Sequence, residues 1–309
     1  MTAVDLTNPI FQDEAKATAH MEAERWPKGV SCPLCGSDNA TKMGGETQTG
    51  MFQCNGCREK FTVRTGTVFE RSHIPLHKWL LAMHVIAASK KGVSSLQLQR
   101  MLGLGSYRSA WFMSMRIREA MAPGEKETRG PLGGEGKIVE ADETWIGGKE
   151  KNKHVGKRNR KNIGGTGKVA VVALTERNGE SRSFRVAKVS GDELRPLIVT
   201  HVSRKSDLMT DFGGQYFRVG KEFNRHERVD HGADEYVRGD AHTNTSECRF
   251  SLMKRAVFGA HHSISEAHLP RYLAEWDFKW NTRKIKDGER AALALKGAEG
   301  KRLTYRQAN

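Results

Sequence analysis

The 309-residue chain carries 51 Lys and Arg against 36 Asp and Glu, a formal net charge of +15 with a pI of about 9.7. That length suffices for two or three cored domains, and so basic a balance predicts a polyanionic partner, nucleic acid by default. No run approaches the roughly 20 apolar residues of a membrane-spanning helix, and the start has neither a basic stretch nor a long apolar run, so neither membrane insertion nor a signal peptide is expected and the cytoplasm is the expected compartment.

Residues 1–25 read as a short amphipathic helix running into Trp26-Pro27. Segment 26–72 holds Cys32, Cys35, Cys54 and Cys57 in the spacing C-x2-C-x18-C-x2-C. Each CxxC knuckle aims two thiolates at one ion, and two knuckles close a tetrahedron around zinc. The Gly-rich, polar stretch between them suits a small β ribbon. Four thiolates leave no open position, so the zinc is expected to fold the module rather than to do chemistry, with iron or a redox dithiol the weaker reading.

Residues 73–121 read as helical after Pro75, with Leu76, Trp79, Leu80, Met83 and Ile86 at helical spacing. Ser94 or Ser95 can cap the next helix, and "LGLGSYRSA" supplies a glycine turn and the start of another that carries Tyr107 and Arg108. That is the layout of a helix-turn-helix, whose second helix enters the major groove; the competing reading is an ordinary packed pair. Trp111, Met113 and Met115 are expected in the core.

The Gly-, Pro- and charge-rich residues 122–136 read as a linker. Beyond them, in a domain expected to span 137–285, three strand-like segments at 137–148, 168–179 and 180–189 predict an antiparallel meander. A helix over 191–202 with Pro196 in its first turns, short strands at 206–211 and 226–231, and helices at about 244–258 and 264–283 follow. This order predicts an α/β (α+β) fold, a ribonuclease H-like mixed sheet with flanking helices, preceded by the zinc ribbon and the small helical domain. Between the first two strands lies a basic run with Lys149, Lys151, Lys153, Lys157, Arg158, Arg160 and Lys161, expected as a phosphate-binding arm. Residues 286–309 read as a basic C-terminal tail.

Asp142 lies in the first of these strands, Asp211 ends a later one, and Glu247 starts a helix, with Lys254 two turns on along the same face. Neighbouring strands can point both aspartates at one rim, and a helix packed across the sheet can bring Glu247 to them. Three such acids repel unless a cation sits among them. Oxygen ligands suit Mg²⁺ or Mn²⁺, and two such ions can drive an in-line displacement at phosphorus. Glu140 and Glu143 are alternative ligands; strand alternation puts Glu140 on the face of Asp142 and Glu143 on the other.

The CxxC pairs, "VEADETWIGGKEKNKH", "LMTDFGGQY", "HTNTSECRFSLMKRAVFGAHHSIS", "YLAEWDFKWNTR" and "GKRLTYR" together resemble bacterial insertion-sequence DDE transposases of the ISXO type, with an N-terminal zinc ribbon and a ribonuclease H-like catalytic domain. The resemblance implies Mg²⁺-dependent cleavage and strand transfer at element ends. Asp142 and Asp211 take the first two acidic positions and Glu247 the third, with Lys254 as the basic residue. Some members are described with asparagine in the third position, and Asn244 stands one turn earlier; Glu247 is preferred because a carboxylate binds a divalent cation better than an amide does. Terminal inverted repeats and target DNA are the implied partners, at the nucleoid, with a dimer or higher oligomer on DNA. Two alternatives remain: a zinc-ribbon DNA-binding regulator whose catalytic domain has decayed, and a nuclease on the same fold. His231 and His242 are weaker candidates around the metal or the DNA, and Cys248 is expected to be buried.

Overall fold

The computed structural model describes residues 6–45, 49–124, 129–148, 154–157 and 167–308. The chain divides into two compact units, Met1–Gly124 with Thr282–Asn309, and Glu125–Asn281. Among the described residues no helix is long and apolar enough to cross a membrane.

In the first unit, helix α1 (Glu14–Arg25) begins later than the sequence predicts, because Asp13 accepts the Lys16 N–H at 2.9 Å and so sets its start. Strands β1 (Ala40–Lys42), β2 (Met51–Cys54) and β3 (Lys60–Thr62) form an antiparallel ribbon in that order. Trp26 packs edge-on against Phe52 and Phe61, which stack on each other, giving this small module an aromatic floor.

Helix α2 (Leu76–Ala88) buries Leu76, Trp79, Leu80, Met83 and Ile86, the residues whose spacing predicted it. Pro75 at its N-cap has no side-chain acceptor, and Glu14 takes that role, accepting the Leu76 and His77 N–H groups at 2.8 and 3.1 Å. Helices α3 (Ser95–Leu102) and α4 (Tyr107–Met121) are each capped by the preceding serine, Ser94 and Ser106. Between them Gly103 takes φ 58°, the left-handed conformation that closes a helix most readily at glycine. Met113 and Met115 are buried and Trp111 half-buried.

Residues 286–309 are not a tail. They contain α9 (Asp287–Lys296), which packs on α2, and the short α10 (Tyr305–Ala308); Ala294, Leu295, Ala298 and Leu303 are buried. The Cα of Gly297 lies so close to α4 that a Cβ there would stand 2.3 Å from the Ala120 carbonyl oxygen.

The second unit is built on β4 (Ile138–Ile146), β5 (Val169–Glu176), β6 (Ser181–Val186), β7 (Asp207–Asp211) and β8 (Arg225–Val229), arranged β6-β5-β4-β7-β8. The first three form the expected antiparallel meander; β7 and β8 run parallel to β4. Helix α5 (Gly191–His201), with Pro196 in its second turn, carries the chain from β6 to β7, and its Leu194 and Ile198 join Val139, Ala141, Val172, Leu174 and Leu208 in the core. The four-residue α6 (Phe217–Gly220) precedes β8; α7 (Asn244–Ala256) and α8 (Leu269–Asn281) follow it. This mixed sheet with flanking helices is consistent with the expected ribonuclease H-like fold. Leu132, read as linker, is buried in this core and bridges Val202.

Edge strand β6 is closed by α8. Asp277 accepts the Ser183 N–H and Asn281 the Ser181 N–H, both at 2.8 Å, so two side chains one helical turn apart satisfy the donors that an edge would expose.

Candidate functional site

β4 pairs with β7 only from Ile138 to Ala141, whose partner is Thr210; beyond that point β4 continues against β5 alone. The side of β4 that faced β7 therefore opens where β7 ends at Asp211. Asp142, Glu143 and Asp211 meet at this opening, each offering a carboxylate oxygen within 4.8 Å of the others. Two of the three are the aspartates expected to share a rim. Alternation along β4 predicts Glu143 on the opposite face, yet its longer side chain reaches the cluster, where β4 has no β7 partner beyond Ala141.

The cluster is held by polar contacts. Asp142 Oδ1 accepts the Glu143 N–H at 2.8 Å, and Asp211 accepts the Gly213 N–H at 3.1 Å. Glu143 accepts Gln215 Nε2 at 2.9 Å and the hydroxyl of the buried Tyr216. Burial, then the charges of Glu143, Asp211 and Glu247, push the Asp142 carboxyl up to about 8. Burial and the Asp211 charge raise Glu143 to about 7. Packed carboxylates whose protons are retained this far above the ordinary range form a donor set suited to a divalent cation, which supplies the missing positive charge.

Glu247 lies in the first turn of α7, 48% exposed, with His231 Nε2 3.3 Å from its Oε1 and the Thr243 hydroxyl at 3.4 Å. It is outside the tight three-acid group but close enough for its charge to act on Asp142. Asn244 is the exposed first residue of α7, after Thr243 at the N-cap. Lys254, seven residues after Glu247, is exposed.

Glu140, the alternative ligand, serves another purpose. It is 0% exposed, its carboxylate accepting Arg177 Nε at 2.7 Å and the Thr245 hydroxyl and Ser246 N–H at 2.9 Å. Arg177 also donates to the carbonyls of Asp240 and His242 at 2.9 Å. This pair, with Glu140 buried and Arg177 half-buried, fixes the entry to α7, and with it Glu247, on the strand that carries Asp142. His242 belongs to this network, its Nδ1 3.4 Å from Glu140. Cys248 is exposed, not buried as expected, because α7 turns Ser246, Arg249, Phe250 and Met253 inward.

The basic arm falls mostly outside the described residues, Arg158 and Arg160 included; Lys157 ends a short turn, Val155–Lys157. In the first unit Tyr107 and Arg108 open α4, both exposed, Arg108 lying over the Tyr305 ring at 5.6 Å. The sulfurs of Cys32, Cys35, Cys54 and Cys57 lie within 4.8 Å of one another, with Cys32–Cys57 at 3.8 Å and Cys35–Cys54 at 3.6 Å. A tetrahedron of thiolates about 2.3 Å from zinc has edges of about 3.8 Å, so the four cysteines fit the ion as they stand.

Comparison with known proteins covers the regions that carry both clusters. A family model described as the ISXO2-like transposase domain, of the IS1595 type, matches residues 131–281, and one described as the transposase zinc-ribbon domain matches residues 12–60. An uncharacterized protein in transposable element ISH50 of Halobacterium salinarum is 28% identical over 280 residues, covering 87% of this chain and 91% of its own. No solved structure matches significantly.

Proposed function

We propose, from the premise that this chain belongs to the IS1595-type insertion-sequence transposases with an N-terminal zinc ribbon, that it cleaves DNA at the element's ends and joins those ends to target DNA at the Asp142–Asp211 cluster. The observation that carries this reading is the convergence of Asp142, Glu143 and Asp211 within 4.8 Å, with the Glu247 charge acting on the same point. Those carboxylates would hold Mg²⁺ or Mn²⁺, which would supply Lewis-acid activation for a water or 3′-hydroxyl and for the leaving oxygen. Asp142 and Asp211 supply the first two carboxylates and Glu247 the third, with His231 holding Glu247 by its Nε2; Asn244 is the alternative at that third position. Glu143, anchored by Tyr216 and Gln215, adds negative charge and a further oxygen. Lys254 and the basic arm, with Lys157, Arg158 and Arg160, bind backbone phosphate.

The zinc ribbon and α4, through Tyr107 and Arg108, recognise the terminal inverted repeats, and two element ends engage a dimer or higher oligomer. A DNA-binding regulator with a decayed catalytic domain is not favoured, since Asp142, Glu143 and Asp211 converge and none of the motifs is interrupted. The test is a strand-transfer assay with zinc-loaded protein, pre-cleaved end DNA and a target plasmid. Joined product that requires Mg²⁺ or Mn²⁺ is expected. Cleavage without joining assigns the chain to the nucleases, and neither activity overturns the reading.

A further inference from the structure

Directly after Asp211 the chain exposes two large aromatic rings. Phe212 is 55% exposed and Phe217, the first residue of α6, 51% exposed. Scattered exposed apolar side chains are ordinary on a protein surface, but these two are linked. The Arg228 guanidinium lies 4.6 Å from the Phe212 ring centre and 5.2 Å from that of Phe217, and Lys221 Nζ stands 5.0 Å over Phe217. Arg228 comes from β8, opposite Thr210 in register, and its own carbonyl accepts the Arg238 guanidinium at 2.8 Å, which fixes the strand beneath the rings.

The charges around this patch differ from those nearby. Arg195, Arg204, Arg225 and Arg238 are each within salt-bridge distance of a carboxylate. Among the described residues no carboxylate lies within 4.0 Å of the Arg228 or Lys221 side-chain nitrogens; Lys221 is exposed and Arg228 half-buried, its charge also acting on His226.

We propose that Phe212, Phe217 and Arg228 form a stacking platform that holds an unpaired nucleobase of the DNA beside the acidic cluster. The proposal rests on the reading of that cluster as a DNA-processing site. A phenylalanine offers a π face and no hydrogen-bonding edge, so it stacks on a base without reading which base it is; within a duplex both faces of a base are already covered by its neighbours. An arginine beside the rings adds cation–π attraction and a donor for the flanking phosphate. Extruding a nucleotide costs unpairing and unstacking energy, and the surface that receives the base offsets that cost. Phe212 is bonded to Asp211, so a base on this platform belongs to a nucleotide adjoining the reacting phosphate.

The experiment uses the full-length zinc-loaded protein in Mg²⁺-free buffer, so that binding is read without cleavage. Two fluorescent probes share the element-end sequence, one fully paired and one carrying a short mismatched bubble at the end. Wild type is expected to bind the bubble probe more tightly. Phe212→Ala and Phe217→Ala are expected to weaken bubble binding by about fivefold or more while changing paired-probe binding by less than about twofold, and Phe212→Trp to retain the preference. Equal losses on both probes, or an unchanged preference in the double alanine variant, overturn the platform. Strand transfer is scored on the same preparations. A wild type that joins ends while the alanine variants keep the bubble preference sinks the platform alone; a wild type that neither cleaves nor joins sinks the parent reading.

Discussion

The carboxylate of Glu140 accepts the backbone N–H of Ser246 at 2.9 Å, so the strand bearing Asp142 caps the helix bearing Glu247. Thr243 at the α7 N-cap makes no side-chain capping bond, and Glu140 fills that role from another element. The separation between two of the candidate ligands is thus set by a residue whose own carboxylate is taken up by Arg177, Thr245 and Ser246.

This pairing is testable through Arg177. Glu140→Gln keeps an acceptor for Ser246 but leaves the half-buried Arg177 guanidinium without its counter-charge, and the change should cost less than the roughly 3–5 kcal/mol of breaking a fully buried pair. The Glu140→Gln/Arg177→Met double variant is expected to lose less stability than the sum of the two single changes in urea unfolding. Additivity within about 0.5 kcal/mol would show that the two side chains are not coupled.

For the acids, Asp142→Asn, Asp211→Asn and Glu247→Gln are each expected to lower cleavage by about 1,000-fold or more, since each removes charge that holds the cation, while end-DNA binding stays within a few-fold of wild type. The third position is decided by comparison. Near-normal cleavage by Glu247→Gln with loss in Asn244→Ala assigns it to Asn244, and loss in Glu143→Gln instead assigns it to Glu143.

The raised carboxyls give a pH signature. Asp142 is held at about 8 and Glu143 at about 7, whereas in an unfolded chain both lose their protons near pH 4. Between those limits the metal-free native state binds more protons than the unfolded one, so its stability falls as pH rises from about 4 to about 8. In zinc-replete, Mg²⁺-free buffer the melting temperature should drop across that window, and Mn²⁺ should flatten the drop while releasing protons measurable by calorimetry in buffers of different ionisation enthalpy. A binding heat independent of buffer contradicts this.

Zinc removal should unfold the ribbon without unfolding the second unit, because the metal supplies the cross-links that a module this small lacks. Cys32→Ser is expected to lower zinc content, alter the near-ultraviolet dichroism of the Trp26–Phe52–Phe61 cluster, and weaken end-DNA binding more than non-specific binding. Unchanged end recognition after verified zinc loss would separate the ribbon from recognition.

Much of this architecture was legible because local spacing carries it. The CxxC pairs, the helical apolar run from Leu76 to Ile86, the capping serines and the strand order needed only neighbours in sequence. What escaped depended on where elements stop. Glu143 joined the acids because β7 ends opposite Asp142, which alternation along β4 does not reveal. Arg177 became the partner of Glu140 across 37 residues, a pairing that the legible Asn178-Gly179 turn beside it does not specify. The C-terminal segment read as a tail because Lys286, Arg290, Lys296, Lys301, Arg302 and Arg306 outweighed the short Ala-Leu face that packs it.

Since α9 packs on α2, the first unit is discontinuous in the chain, interrupted by everything from Glu125 to Asn281. On the ribosome the intervening unit has all its strands and helices before α9 is synthesised. The zinc-bearing portion must therefore wait, its α2 surface uncovered, until the last thirty or so residues emerge, so the segment translated first is the one that matures last.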